Sequence, residues 1–254
     1  MEIGFVGTGT ISEAMVHGLQ TLRAAPMIVV SPRSEAISRG LAARYPNVRR
    51  AASNAEAAAA EMVVLGMRPT QVEEALAGIA FRRDQLVVSL VAGLSLADVQ
   101  ALAPRSRVDR AIPMPGIARG DGPITVFPGQ PELVALLQPL GDLIVAPTEP
   151  SLNMGGVTGF MSSYFELQRT LIERATAAGI PKDDARRYVV SLLSMLAATA
   201  RDSPDELFDD LVTEHQTKGG LNERVRAHLL AEGWFDAPGE AFAAIAKLSR
   251  KNLA

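Results

Sequence analysis

The chain has 254 residues, of which 48% are hydrophobic and 21% charged, with a net charge of −3 and no cysteine. That length holds one large domain or two smaller ones. The charge balance gives no electrostatic case for nucleic-acid or membrane partners, and the missing cysteine removes disulfides, thiol catalysis and cysteine-based metal sites.

No apolar run approaches the ~18 residues of a membrane span. The first apolar stretch has no basic leader, so no signal peptide is expected and a cytoplasmic location is. The three histidines, His17, His215 and His228, fall in no metal-ligand spacing, so no metal site is expected either.

Glu2–Val6 reads as a short buried strand that runs into Gly7-Thr8-Gly9-Thr10-Ile11-Ser12. This pattern is the turn of a dinucleotide-binding unit. Gly7 permits the sharp turn, Gly9 lets backbone approach a pyrophosphate, and Ser12 stands where a third glycine lets the helix pack close to the sheet. The N–H groups at Thr10 and Ile11 open the following helix, Ser12–Ala24, toward the phosphates. Met27–Val30 reads as the second strand and ends in Ser31-Pro32-Arg33-Ser34. An NAD-type site carries an acid there, whereas Ser31, Arg33 and Ser34 suit a 2′-phosphate. NADP(H) is the expected cofactor.

Further strands are expected at Met62–Gly66, Leu86–Leu90, Val108–Ala111, Ile124–Phe127 and Leu143–Val145. Helices are expected at Glu35–Arg44, Ala55–Ala60, Thr70–Ala77, Leu96–Ala103 and Glu132–Leu140. Continuous apolar strands alternating with helices predict an α/β fold with a doubly wound, Rossmann-type sheet of parallel strands over residues 1–150. From Leu152 onward only helical patterns remain: Leu152–Ala178, a helix opened by Pro181, another opened by Ser203-Pro204, a break at Thr217–Asn222, and helices through Leu230 and over Pro238–Asn252. Residues 151–254 therefore read as an all-helical domain. Its apolar stripe at Leu192, Leu193 and Leu196 is broad enough to predict burial against a second copy in a homodimer or larger homo-oligomer.

In these segments the sequence resembles the pyrroline-5-carboxylate reductase family. Gly7–Ile11 matches the family's N-terminal turn. Ser53-Asn54-Ala55-Glu56 is similar to its S-N-x-E segment, and Val63–Thr70 to V-V-L-A-V-K-P-Q. Val88–Leu94 is similar to its S-x-x-A-G turn, and Arg110-Ala111-Ile112-Pro113 with Gly120-Asp121-Gly122 keeps a further motif's spacing. The resemblance implies cofactor contacts at Asn54 and at Met67-Arg68-Pro69, with Ala92-Gly93 beside the nicotinamide. It implies reduction of a C=N bond in a small cyclic imine.

Departures fall in the segments that bind substrate in that family. Met114 and Pro115 stand for Asn and Thr. Its T-A-x-S-G-S-G-P-A stretch reads Thr158–Glu166, and its S-P-G-G-T-T loop reads Thr217–Asn222. Candidate substrate-site groups are Thr158, Ser163, Thr217, Asn222 and the N–H groups of Gly219-Gly220. Each has an ordinary alternative: Thr217 as a helix cap, Asn222 as a solvated first-turn residue, Ser163 bonded within its own helix. His215, two residues before Thr217, is the histidine placed as a candidate for proton delivery. Two other functions stand beside imine reduction. One is a hydroxyacid dehydrogenase, against which Leu152–Ala178 lacks a lysine; the other is a non-catalytic NADP(H)-binding protein.

Overall fold

The computed structural model describes residues 1–251 and divides into two compact units, Met1–Gly155 and Gly156–Ala254. The first unit holds eight strands: β1 (Glu2–Val6), β2 (Met27–Val30), β3 (Val48–Arg50), β4 (Met62–Leu65), β5 (Leu86–Ser89), β6 (Arg107–Pro113), β7 (Pro123–Phe127) and β8 (Asp142–Val145). They form one sheet in the order β3-β2-β1-β4-β5-β6-β7-β8. Six helices pack on it: α1 (Thr10–Leu19), α2 (Glu35–Arg44), α3 (Asn54–Ala57), α4 (Val72–Leu76), α5 (Leu96–Leu102) and α6 (Pro131–Leu137). The fold is a doubly wound α/β sheet followed by helices alone.

Strands β1, β2, β4 and β5 are nearly continuous apolar runs because both faces are covered. Ile3 and Phe5 of β1 face a core with Met15, Leu19 and Leu133. Val6, with Val63 and Leu65 of β4, faces a second core with Ala57, Val72 and Val99. β1 pairs with β2 on one side and β4 on the other, so the winding reverses between β1 and β4. That reversal opens a crevice beyond the carboxyl ends of the two strands, where ligands of such sheets bind.

The sequence reading departs from the structure at four places. β3 escapes an apolar-run search because two of its three residues are arginine. The sheet is not wholly parallel, because β7 runs antiparallel to β6. Leu152–Ala178 is not one helix: Glu149–Phe160 is 3₁₀, with Met154, Gly155 and Gly156 at φ of 48°, 65° and 79°, and such left-handed backbone cannot propagate an α-helix. Finally, Ser203-Pro204 does not open a helix; the next one starts at Phe208.

The second unit holds α7 (Met161–Ala177), α8 (Lys182–Asp202), α9 (Phe208–Glu214), α10 (Leu221–Ala231) and α11 (Ala237–Lys251). Asn252, the expected end of the last helix, lies outside the described residues. Among the described residues no helix is long and apolar enough to cross a membrane. Among the described residues of this unit only Ala185 and Val189 are buried, while Tyr188, Leu192, Met195 and Leu196 on the same helix are exposed.

Helix α1 is seated by a missing side chain. A Cβ on Gly18 would lie 2.3 Å from the carbonyl oxygen of Ile117, the buried residue of the 3₁₀ segment Pro115–Arg119. Replacing glycine by alanine inside a helix ordinarily gains about 1 kcal/mol. Here a backbone oxygen blocks the methyl and no side-chain rotation relieves it, so an overpacking cost of about 1–3 kcal/mol applies. Gly18→Ala is therefore predicted to lower the midpoint of denaturant unfolding. An unchanged or raised midpoint would show that α1 is not held this tightly.

Candidate dinucleotide and substrate sites

The turn after β1 is built on close backbone approach. Gly7 has a φ of +93°, and a Cβ there would lie 2.7 Å from the backbone of Gly66, at the end of β4. Ser12 is fully buried, and its hydroxyl donates to the Gly7 carbonyl at 2.7 Å. A Cβ on Gly66 would come within 2.1 Å of that hydroxyl. Ser12 thus replaces the small third residue of the motif because Gly66 leaves it room. Gly9 is the N-cap of α1 and brings no side chain, so the first N–H groups of the helix face the crevice.

A cavity of about 620 Å³ lies over this turn. It is lined by Gly7, Thr8, Gly9, Thr10 and Ile11 after β1, by Ser31, Arg33 and Ser34 after β2, by Asn54, by Gly66, Met67 and Arg68 after β4, and by Gln71 and Ala75. Gly66, Gln71 and Ala75 were not singled out from sequence. They carry no distinctive chemistry and enter through the 3₁₀ turn Pro69–Gln71, which turns the chain back toward the cavity. Pro69 opens that turn and does not line the cavity.

Two expected ligand contacts prove to be engaged within the chain. Ser31 is fully buried; its hydroxyl accepts the Gly7 N–H at 2.9 Å and lies 3.1 Å from the Thr8 hydroxyl, which donates to the Ser31 carbonyl. It braces the glycine turn. Asn54 sits in a helix cap: Ser53 accepts the Glu56 N–H, and the Glu56 carboxylate accepts the Ala52 N–H. That N–H, with Arg49 beside it, holds the Glu56 carboxyl below its usual range. The Asn54 amide donates to the Ala75 carbonyl at 3.0 Å and pins α4. Ser34, the N-cap of α2, makes no cap hydrogen bond, and the Arg33 guanidinium reaches only the exposed Glu74 at 3.2 Å.

Ala92 and Gly93 fall in a second cavity, of about 560 Å³, beyond β5 and β6. Its wall is tied by an ion pair at 2.7 Å between Arg110 of β6 and Glu149, whose same oxygen accepts the Leu96 N–H at 2.5 Å. Ser95 and Asp98 close a capping box at the start of α5, and the Ser95 hydroxyl and N–H hold the Asp98 carboxyl below its usual range. The Ala92-Gly93 turn is thereby fixed to the strand beside it. Neither the Arg110–Glu149 pair nor its role was read from sequence, because the two residues lie 39 positions apart.

The substrate candidates lie in the helical unit and do not gather in one cavity. Ser163 lines an apolar cavity of about 480 Å³ with Gly159, Phe160, Trp234, Phe242 and Ile245; Thr158, Thr217 and Asn222 do not line it. In the Thr217–Asn222 segment the Asn222 amide donates to the His215 carbonyl at 2.8 Å. The Gly219 N–H donates to the Glu223 carboxylate at 2.5 Å, and the Gly220 N–H to the Thr217 carbonyl at 2.7 Å. Both glycine donors expected to meet a substrate are used inside the loop. Gly220, not Thr217, caps α10.

Residues 2–93 match the family described as NADP oxidoreductase coenzyme F420-dependent. The pyrroline-5-carboxylate reductase of Corynebacterium melassecola is 27% identical over 219 residues, covering 80% of this chain and 81% of that protein. A solved pyrroline-5-carboxylate reductase from Coxiella burnetii superposes with a TM-score of 0.84 at 20% identity, covering 98% of this chain and 97% of the other. The Plasmodium falciparum pyrroline carboxylate reductase, solved with NADP bound, superposes with a TM-score of 0.80 at 15% identity, covering 99% and 97%. These likenesses span both units: the chain is similar to pyrroline-5-carboxylate reductases at low identity and shares the fold of the solved ones.

Proposed function

We propose that the protein is an NADPH-dependent oxidoreductase that reduces the C=N bond of a small cyclic imine. The observation that carries this reading is the cavity over the Gly7–Ile11 turn. Its walls fit a dinucleotide: backbone with no Cβ at Gly7 and Gly9, the open end of α1 for a pyrophosphate, and Arg33 with the Ser34 hydroxyl for a 2′-phosphate. The relatives are named as pyrroline-5-carboxylate reductases. A bound nicotinamide supplies the hydride. The chain then has to orient the imine, keep water away and hold any substrate charge. The Ala92-Gly93 turn, fixed by Arg110 and Glu149, serves as a rigid wall of its own cavity.

Substrate choice follows from the Thr217–Asn222 loop. Its glycine donors are taken by Glu223 and Thr217, and Leu221 presents an apolar side chain to solvent. A carboxylate bound there would have to displace Glu223 and lie beside it. An ionised substrate group short of one buried partner loses about 1–3 kcal/mol or more. This favours imines without a carboxylate over pyrroline-5-carboxylate. Residues 1–150 are the cofactor domain in this reading, and 151–254 the substrate and assembly domain.

The test is NADPH oxidation with five- and six-membered cyclic imines, each with and without a carboxylate. Turnover is predicted with NADPH in preference to NADH, and higher kcat/KM for the imines without a carboxylate. Tight cofactor binding with no turnover on any imine would support a non-catalytic binding protein, and efficient turnover of pyrroline-5-carboxylate would overturn the substrate assignment.

The helical unit supports a homodimer. An all-helical unit with two buried residues among those described, and with Tyr188, Leu192, Met195, Phe208 and Trp234 exposed, has too little core of its own. Burying such surface contributes roughly 25 cal/mol per Å². Sedimentation at low micromolar concentration is predicted to give a dimer or larger assembly. A stable monomer with full activity would contradict it.

A further inference from the structure

We infer that Glu74 sets the choice between the two nicotinamide dinucleotides by competing with a 2′-phosphate for Arg33. This rests on the reading of the 620 Å³ cavity as the dinucleotide site. Arg33 lines the cavity, and Glu74 stands at its margin next to a lining residue. Arg33 follows β2 beside Ser34; Glu74 is on α4 beside Ala75, which lines the cavity. Arg33 Nη1 donates to Glu74 Oε2 at 3.2 Å.

The backbone on each side is held in place. Arg50 donates to the Pro32 carbonyl at 3.1 Å, and Asn54 donates to the Ala75 carbonyl at 3.0 Å. The frame therefore fixes how far apart the two segments stand, and the pair opens or closes by side-chain rotation alone. Both side chains have the freedom to do so, being 51% and 74% exposed.

A 2′-phosphate carries close to two negative charges and three acceptor oxygens. To pair with it, Arg33 has to release Glu74, and the Glu74 carboxylate is then left beside a like charge. A 2′-hydroxyl makes no such demand. Being uncharged, it leaves the Arg33–Glu74 pair closed. Glu74 therefore weakens NADPH binding and leaves NADH binding alone, which narrows the preference that Arg33 creates. An NAD-type site places its acid at the end of the second strand. In this chain Ser31 occupies that end and is buried, and Glu74 on α4 pairs with Arg33 instead.

Arg68 also lines the cavity and makes no ion pair among the described residues. The experiment separates it from Arg33. Dissociation constants for NADPH, NADH and 2′-AMP are measured on the full chain for the parent, Glu74→Gln, Glu73→Gln and Arg33→Ala. Glu73 is the neighbouring acid on α4 and makes the same change in net charge. Glu74→Gln is expected to tighten NADPH and 2′-AMP by about two- to fivefold, in keeping with an exposed ion pair, with NADH unchanged. Glu73→Gln is expected to leave the NADPH/NADH ratio where it was. Arg33→Ala is expected to weaken NADPH by about tenfold or more and to spare NADH.

If Arg33→Ala weakens NADPH but Glu74→Gln leaves the ratio unchanged, or weakens NADPH, the role of Glu74 is overturned and the reading of the site stands. Equal tightening of both cofactors, or an equal effect of Glu73→Gln, overturns it as well, because net charge then explains the result. If Arg33→Ala spares NADPH, the assignment of the 2′-phosphate to Arg33 fails, and the competition with Glu74 fails with it.

Discussion

The site depends on the contact between the turn after β1 and the end of β4. Gly7 and Gly66 meet with no room for a Cβ on either, and the Ser12 hydroxyl fills the space that remains. This contact sets how far α1 stands from the sheet, and so where its first N–H groups point. Around it the chain uses buried hydroxyls as braces. Ser31 and Thr8 tie the end of β2 to the turn, so three strand ends move as one body. Each of those hydroxyls is satisfied, which keeps polar groups affordable in a dry environment. The result is a preorganised backbone cradle, with few side chains needed for binding.

The two units solve different problems. The first has a core on each face of its sheet and a fixed geometry at its strand ends. The second has long helices whose apolar positions remain in solvent, with Ala185 and Val189 alone buried among its described residues. That uncovered apolar surface is what motivates the proposed homodimer. The loop at Thr217–Asn222 is closed on itself by Glu223 and His215. That internal satisfaction engages the Gly219 and Gly220 N–H groups within the loop.

Much of the first unit was legible in the sequence because strands buried on both faces leave continuous apolar runs, and Gly7 marks a turn that only glycine makes easily. β3 was not legible, since an edge strand of Val48, Arg49 and Arg50 leaves no such run. Helical periodicity likewise carried the reading of α8 but extended α7 too far back, because Gly155 and Gly156 interrupt the backbone without interrupting the apolar pattern. Among site residues, Arg33 and Ser34 could be named from chemistry and position. The bracing role of Ser31 and the pinning role of Asn54 could not, because each depends on partners 24 and 21 positions away. Glu74, Gly66 and the Arg110–Glu149 pair are likewise consequences of folding.

The most direct measurement is a crystal structure with NADPH bound. The account predicts the pyrophosphate over the N–H groups of Gly9–Ile11, the 2′-phosphate between Arg33 and Ser34, and the nicotinamide ring beside Ala92-Gly93. A pyrophosphate placed away from the start of α1, or a nicotinamide directed away from the Ala92-Gly93 turn, would contradict it.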